Sequence, residues 1–129
     1  WNDARRERAR IYDQLFAASG LTRTGADSAA PIRLPNTAPR SHHIYLHYVV
    51  RVQQRDGLRD FLKQRGVGSE IYYPVPLHLQ KCFSYLGYAP GDLPEAERAA
   101  GDVLALPMFP ELEQEEQRYV VDSIAEFYS

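Results

Sequence analysis

Prolines limit this chain most: nine of them in 129 residues cut it into short stretches of regular structure. A proline has no N–H to donate and a fixed φ, so it ends a ladder or opens a helix rather than lying inside either. Pro31, Pro35 and Pro39 recur every four residues in a stretch rich in Thr, Ser, Ala and Gly. Residues 21–41 are therefore expected to be an irregular connection with at most a short extended piece. Pro74 and Pro76 stop any strand that runs into them. Pro94 suits the first turn of a helix, and Pro107 closes a short apolar run.

Between these stops, hydrophobic spacing assigns the elements. Ala4, Ile11, Tyr12, Leu15 and Phe16 follow helical spacing, with Arg5, Arg6, Glu7, Arg8, Arg10 and Asp13 opposite and Gly20 as a stop. A well-formed helix starting at Trp1, with no Met, marks the chain as an expected fragment of a longer protein. Residues 43–53 alternate as a strand, with Ile44, Leu46, Tyr48, Val50 and Val52 on one face. Tyr45, His47, Val49 and Arg51 take the other. Both faces are apolar enough for a strand central in its sheet.

A helix is expected over 56–65, with Asp56 as N-cap, Leu58, Phe61 and Leu62 as its buried stripe, and Gly66 as its end. A strand follows over 67–73, then a short helix over 77–86 and another opening at Asp92 or Leu93. The last strand runs over 103–106. The last helix, 113–128, puts Val120, Val121, Ile124, Phe127 and Tyr128 on one side. The class is α/β in the α+β sense: one domain, 1–129, with a small, mostly antiparallel sheet of about three strands flanked by helices.

A formal net charge of −2 removes the basic footprint that would put nucleic acid first among partners. No apolar run is long enough to span a membrane. The single cysteine, Cys82, fits a reducing, cytoplasmic setting, and with no activating base nearby in sequence it is expected to be a packed thiol. On a strand His43 and His47 would stand about 13 Å apart, so no metal site is expected. The Arg5–Arg10 run reads as a solvated helix face, and Met108 and Phe109 read as core plugs. Lys63 lies on a polar helix face, and Lys81 lacks the desolvating surroundings of a Schiff-base lysine.

The chemistry concentrates in Tyr72-Tyr73-Pro74-Val75-Pro76-Leu77-His78-Leu79-Gln80. A strand ends in two phenols, turns through a stiff corner, and presents an imidazole where a helix begins. Phenol and imidazole both hydrogen-bond to hydroxyls and phosphates. The residues by themselves leave open whether Tyr72 merely packs and His78 merely satisfies a helix start.

That corner resembles the C-terminal part of the DegT/DnrJ/EryC1/StrS aminotransferases. So do Leu86-Gly87-Tyr88, Gly91-Asp92-Leu93-Pro94-Glu95-Ala96-Glu97 and Leu104-Ala105-Leu106-Pro107-Met108-Phe109-Pro110-Glu111-Leu112. His43-Ile44-Tyr45, Tyr48-Val49-Val50-Arg51 and the opening Arg-rich helix belong to the same resemblance, which covers nearly the whole chain. It implies the small C-terminal domain of a fold-type I enzyme that uses pyridoxal phosphate to move an amino group, usually from glutamate, onto a nucleotide-linked keto-sugar. The domain carrying the cofactor and its lysine would precede Trp1, and the complete enzyme would be a homodimer. The resemblance assigns Tyr73, His78 and, less directly, Tyr72 to the sugar-nucleotide pocket, and gives this chain no catalytic or cofactor-binding residue. It departs at Leu46, where family members often carry histidine, and at Lys81-Cys82, where Pro-Ala is commoner. A stand-alone, non-catalytic binding domain of the same fold is the competing expectation.

Overall fold

The structure, a computed structural model, describes residues 1–22 and 30–129. The connection expected over 21–41 thus lies partly outside the described residues. Helix α1 (Asn2–Ser19) ends at Gly20, whose φ of 74° is the left-handed conformation that glycine adopts without a Cβ penalty. Strand β1 (Ile32–Arg33) is the short extended piece, and β2 (Tyr48–Val52) follows. Helix α2 (Arg55–Gln64) comes next, then two 3-10 segments, Leu77–Leu79 and Lys81–Leu86. Helix α3 (Pro94–Asp102) runs directly into β3 (Val103–Leu106), and α4 (Gln114–Phe127) closes the chain. No helix among the described residues is long and apolar enough to cross a membrane.

The sheet is antiparallel in the order β1-β2-β3. Its central strand buries Tyr48, Val50 and Val52 against one layer of helices. Tyr12 and Phe16 come from α1, Leu58 and Leu62 from α2, Val120, Val121 and Ile124 from α4, and Leu104 and Leu106 from β3. Tyr12 stacks on Tyr48 with centroids 4.9 Å apart and donates its hydroxyl to the Pro107 carbonyl at 3.0 Å. Tyr48 donates to Asp13 Oδ1 at 2.5 Å, so both buried phenols have partners. Gln117, fully buried, ties α4 to α1 by donating from Nε2 to the Arg8 carbonyl at 2.7 Å.

Four expectations are corrected. The strand expected over 43–53 begins only at Tyr48. The His43 side chain takes the Tyr45 N–H through Nδ1 at 2.9 Å, and Tyr45 sits at φ 49°, so a local side-chain bond replaces the ladder there. The strand expected over 67–73 shrinks to one antiparallel bridge, Glu70 to Ala105. Its first residues are taken by the end of α2. Gly66 N–H bonds to the Lys63 carbonyl and Val67 N–H to the Leu62 carbonyl, a Schellman closure with Gly66 at φ 73° and Val67 buried. Asp56 does not cap α2. The N-cap is Gln54 in left-handed conformation, φ 50°, while Asp56 bonds Arg55 Nε at 2.6 Å inside the first turn. Leu77–Leu86 forms two 3-10 segments rather than one helix.

Helices α3 and α4 follow their sequence signals. Leu93 is the N-cap of α3, with Pro94 in its first turn. Glu113 caps α4 in a capping box, its backbone N–H held by Glu116 Oε2 at 2.8 Å.

Candidate functional site

The corner at 72–80 lies on the other side of the sheet from α1 and α4, against α3. Pro76 introduces the 3-10 segment that carries His78, and Leu79 N–H closes it by bonding back to the Pro76 carbonyl at 3.0 Å. Tyr73 projects with 72% of its surface exposed, and Tyr72 keeps 37%. The Tyr72–Tyr73 peptide bond is cis. With Pro76, Leu77, Ala96, Ala99 and Ala100, the two rings line a cavity of about 240 Å³. The small alanines of α3 leave this space open.

His78 behaves differently. Its side chain is only 4% exposed, and Nε2 stands 2.9 Å from Glu97 Oε1. Glu97 also accepts the Gly91 N–H at 2.9 Å. The His78 hydrogen bond, then the Gly91 N–H, hold the Glu97 carboxyl below its ordinary value. An ionised Glu97 makes the facing imidazole nitrogen an N–H donor. One carboxylate therefore joins the corner, the turn before α3 and the first turns of α3 itself. Tyr88 adds an edge-on ring 5.9 Å from His78.

Three residues near the corner escape a sequence reading. Glu97 is visible only as an acidic residue suited to a helix start, and nothing in one dimension pairs it with His78. Tyr88 lies in a matched motif without an evident partner. His47 shows its strand face, but its stacking on Tyr72 at 4.4 Å is a tertiary fact.

Other expected residues fall elsewhere. Cys82, expected to be packed, is exposed, because the 3-10 segment carrying it buries no residue. Phe109 is not a core plug. It is 42% exposed and lines a surface groove with Tyr119, while Met108 packs against the core. Arg6 and Arg10 are solvated and pair with Asp3 and Glu7, whereas Arg5 and Arg8 are only half-exposed. Lys63 and Lys81 are both exposed, and His43 is engaged with Tyr45 N–H. Among the described residues no three His, Cys, Asp or Glu side chains gather as a metal set would require.

The sequence matches the DegT/DnrJ/EryC1/StrS aminotransferase family over residues 1–125. It is 45% identical to a pleiotropic regulatory protein of Geobacillus stearothermophilus over 99% of this chain and 32% of that protein. It is 38% identical to dTDP-3-amino-3,4,6-trideoxy-alpha-D-glucose transaminase of Streptomyces venezuelae over 98% of this chain and 31% of that one. Among solved structures, S. venezuelae DesV in complex with a ketimine intermediate superposes with a TM-score of 0.86 at 35% identity, over 98% of this chain and 32% of DesV. The chain thus spans about a third of the length of the relatives it matches. On its matched sequence, its fold and its corner, the chain belongs to the DegT/DnrJ/EryC1/StrS aminotransferase family.

Proposed function

We propose that this chain, 1–129, is the C-terminal domain of a cytoplasmic, homodimeric aminotransferase that moves an amino group from an amino-acid donor, glutamate, to a nucleotide-linked keto-sugar. The observation that carries the reading is the corner itself: two exposed phenols beside a small cavity, held by the buried His78 on a partly exposed Glu97. The S. venezuelae transaminase, named for an amino-sugar nucleotide, supports the substrate class.

Pyridoxal phosphate, when bound, supplies the electron sink for amine transfer. The described residues of this chain do not fit its anchor, since both lysines are exposed and neither lines a cavity beside the corner. The cofactor is therefore assigned to the rest of the polypeptide. The share of this domain is to orient the sugar nucleotide and exclude water. Tyr73 is placed to touch the substrate, with Tyr72 beside it. His78, with Nε2 given to Glu97, acts by holding the corner in place.

The name of the G. stearothermophilus relative favours one alternative, a binding domain of the same fold without catalysis. Measuring the two half-reactions separately in the full-length protein decides between them. Tyr73→Ala is expected to lower kcat/KM for the sugar nucleotide about tenfold, the size of one or two lost hydrogen bonds, and to leave the donor half-reaction unchanged. A full-length protein without transamination supports the binding domain. Equal loss in both half-reactions removes Tyr73 from the sugar pocket.

A further inference from the structure

His47 stands one residue ahead of β2. Tyr48 turns fully into the core, whereas His47, in the bend that leads into the strand, turns to the corner instead. There the imidazole packs on Tyr72 with centroids 4.4 Å apart and planes tilted by 36°. Tyr72 in turn meets Tyr73 edge-on at 5.6 Å and 65°. Three rings thus form a row from the central strand to the most exposed phenol of the corner.

Tyr72 also separates two cavities of about 240 Å³ each. One holds Tyr73, Val75 and Leu77; the other holds His47, Ser69, Glu70 and Met108. The Tyr72 hydroxyl has no hydrogen bond among the described residues, so packing alone sets the angle of this dividing ring. Tyr73 packs on one side of it and is itself largely exposed. His47 is the neighbour anchored to the sheet.

We propose that His47 is a positioning residue for the sugar pocket: by stacking on Tyr72 it fixes the wall between the two cavities and, through that wall, the direction of Tyr73. This inference rests on the function proposed above. It assigns to His47 an aromatic packing role, which any flat ring of similar size fills, and not a hydrogen bond to substrate.

The test uses the full-length enzyme with the half-reactions measured separately. His47→Ala is expected to raise KM for the sugar nucleotide about three- to tenfold, the range for one lost aromatic pair, with kcat and the donor half-reaction unchanged. His47→Phe is expected to stay within about twofold of the parent, and His47→Ala is expected to add nothing further in a Tyr72→Leu background. Equal damage from His47→Phe and His47→Ala overturns the proposal, since the imidazole would then act through its nitrogens. A joint loss in both half-reactions with a lower Tm also overturns it, because the role would be structural. If His47→Ala is silent while Tyr73→Ala is impaired, His47 falls and the corner stands. If both are silent in the sugar half-reaction, the functional reading falls and takes this inference with it.

Discussion

Asp13 and Glu97 are carboxylates pulled in opposite directions by their surroundings. Burial raises Asp13 above its ordinary 3.8, only partly offset by the hydrogen bond from Tyr48. The folded protein therefore holds that proton more tightly than the unfolded chain. The stability linked to Asp13 is complete below 3.8 and is lost as pH rises through the raised value. Glu97 is lowered from 4.5, first by His78 and then by Gly91 N–H, so its contribution is present above 4.5 and is lost as pH falls through the lowered value. Asp13→Asn, whose carbonyl still accepts from Tyr48, is expected to flatten the fall in stability on the alkaline side of pH 3.8. Glu97→Gln is expected to flatten the acid limb below 4.5. Urea midpoints across pH 3 to 7 read both, and an unchanged slope in either variant removes that group from the pH dependence.

Helices α2 and α4 meet the sheet through side chains of unequal depth. Ile124 has no exposed surface, and its truncation to Ala is expected to cost about 2–5 kcal/mol, as in a packed core. Phe61, read from sequence as part of the buried stripe, is only half-buried. It lies against Phe127 at 5.6 Å, with the Arg65 guanidinium 4.8 Å from its ring centre. Phe61→Ala is therefore expected to cost clearly less than Ile124→Ala, about 1–2 kcal/mol, because solvent replaces part of the lost contact. Denaturant midpoints of the two variants give the order, and a larger loss at Phe61 contradicts this packing. The start of α3, marked by Pro94, and both ends of α4, read from its apolar stripe, were legible to within a residue or two. Strand β3 was legible to the residue, whereas the strands expected over 43–53 and 67–73 were legible in pattern and not in length. Alternation continues through Ile44 and Leu46, yet the ladder stops where His43 captures the Tyr45 N–H. Residues 67–73 look like a strand until the Schellman closure uses their first N–H.

At the scale of the molecule, the exposed apolar side chains Tyr73, Val75, Leu77, Tyr85, Leu86, Tyr88 and Leu93 cluster in sequence around the corner and the segments after it. Neither lysine lies in that region's cavity. The chain by itself, mixed with pyridoxal phosphate and passed through gel filtration, is expected to retain no bound chromophore and to show no transaminase turnover. A retained band that disappears in Lys81→Ala would refute this. Local physics, read along the chain, determined the four α-helices and the central position of β2, because amphipathic spacing and proline stops act over a few residues, while the family was legible as a resemblance of short motifs such as that at 72–80. Only tertiary structure decided that Ile32–Arg33 supplies the outer strand, that His78 spends its nitrogen on Glu97, and that His47 stacks on Tyr72. Each of these joins residues 18 or more apart, and such a contact depends on where the elements between them pack, which no local pattern encodes.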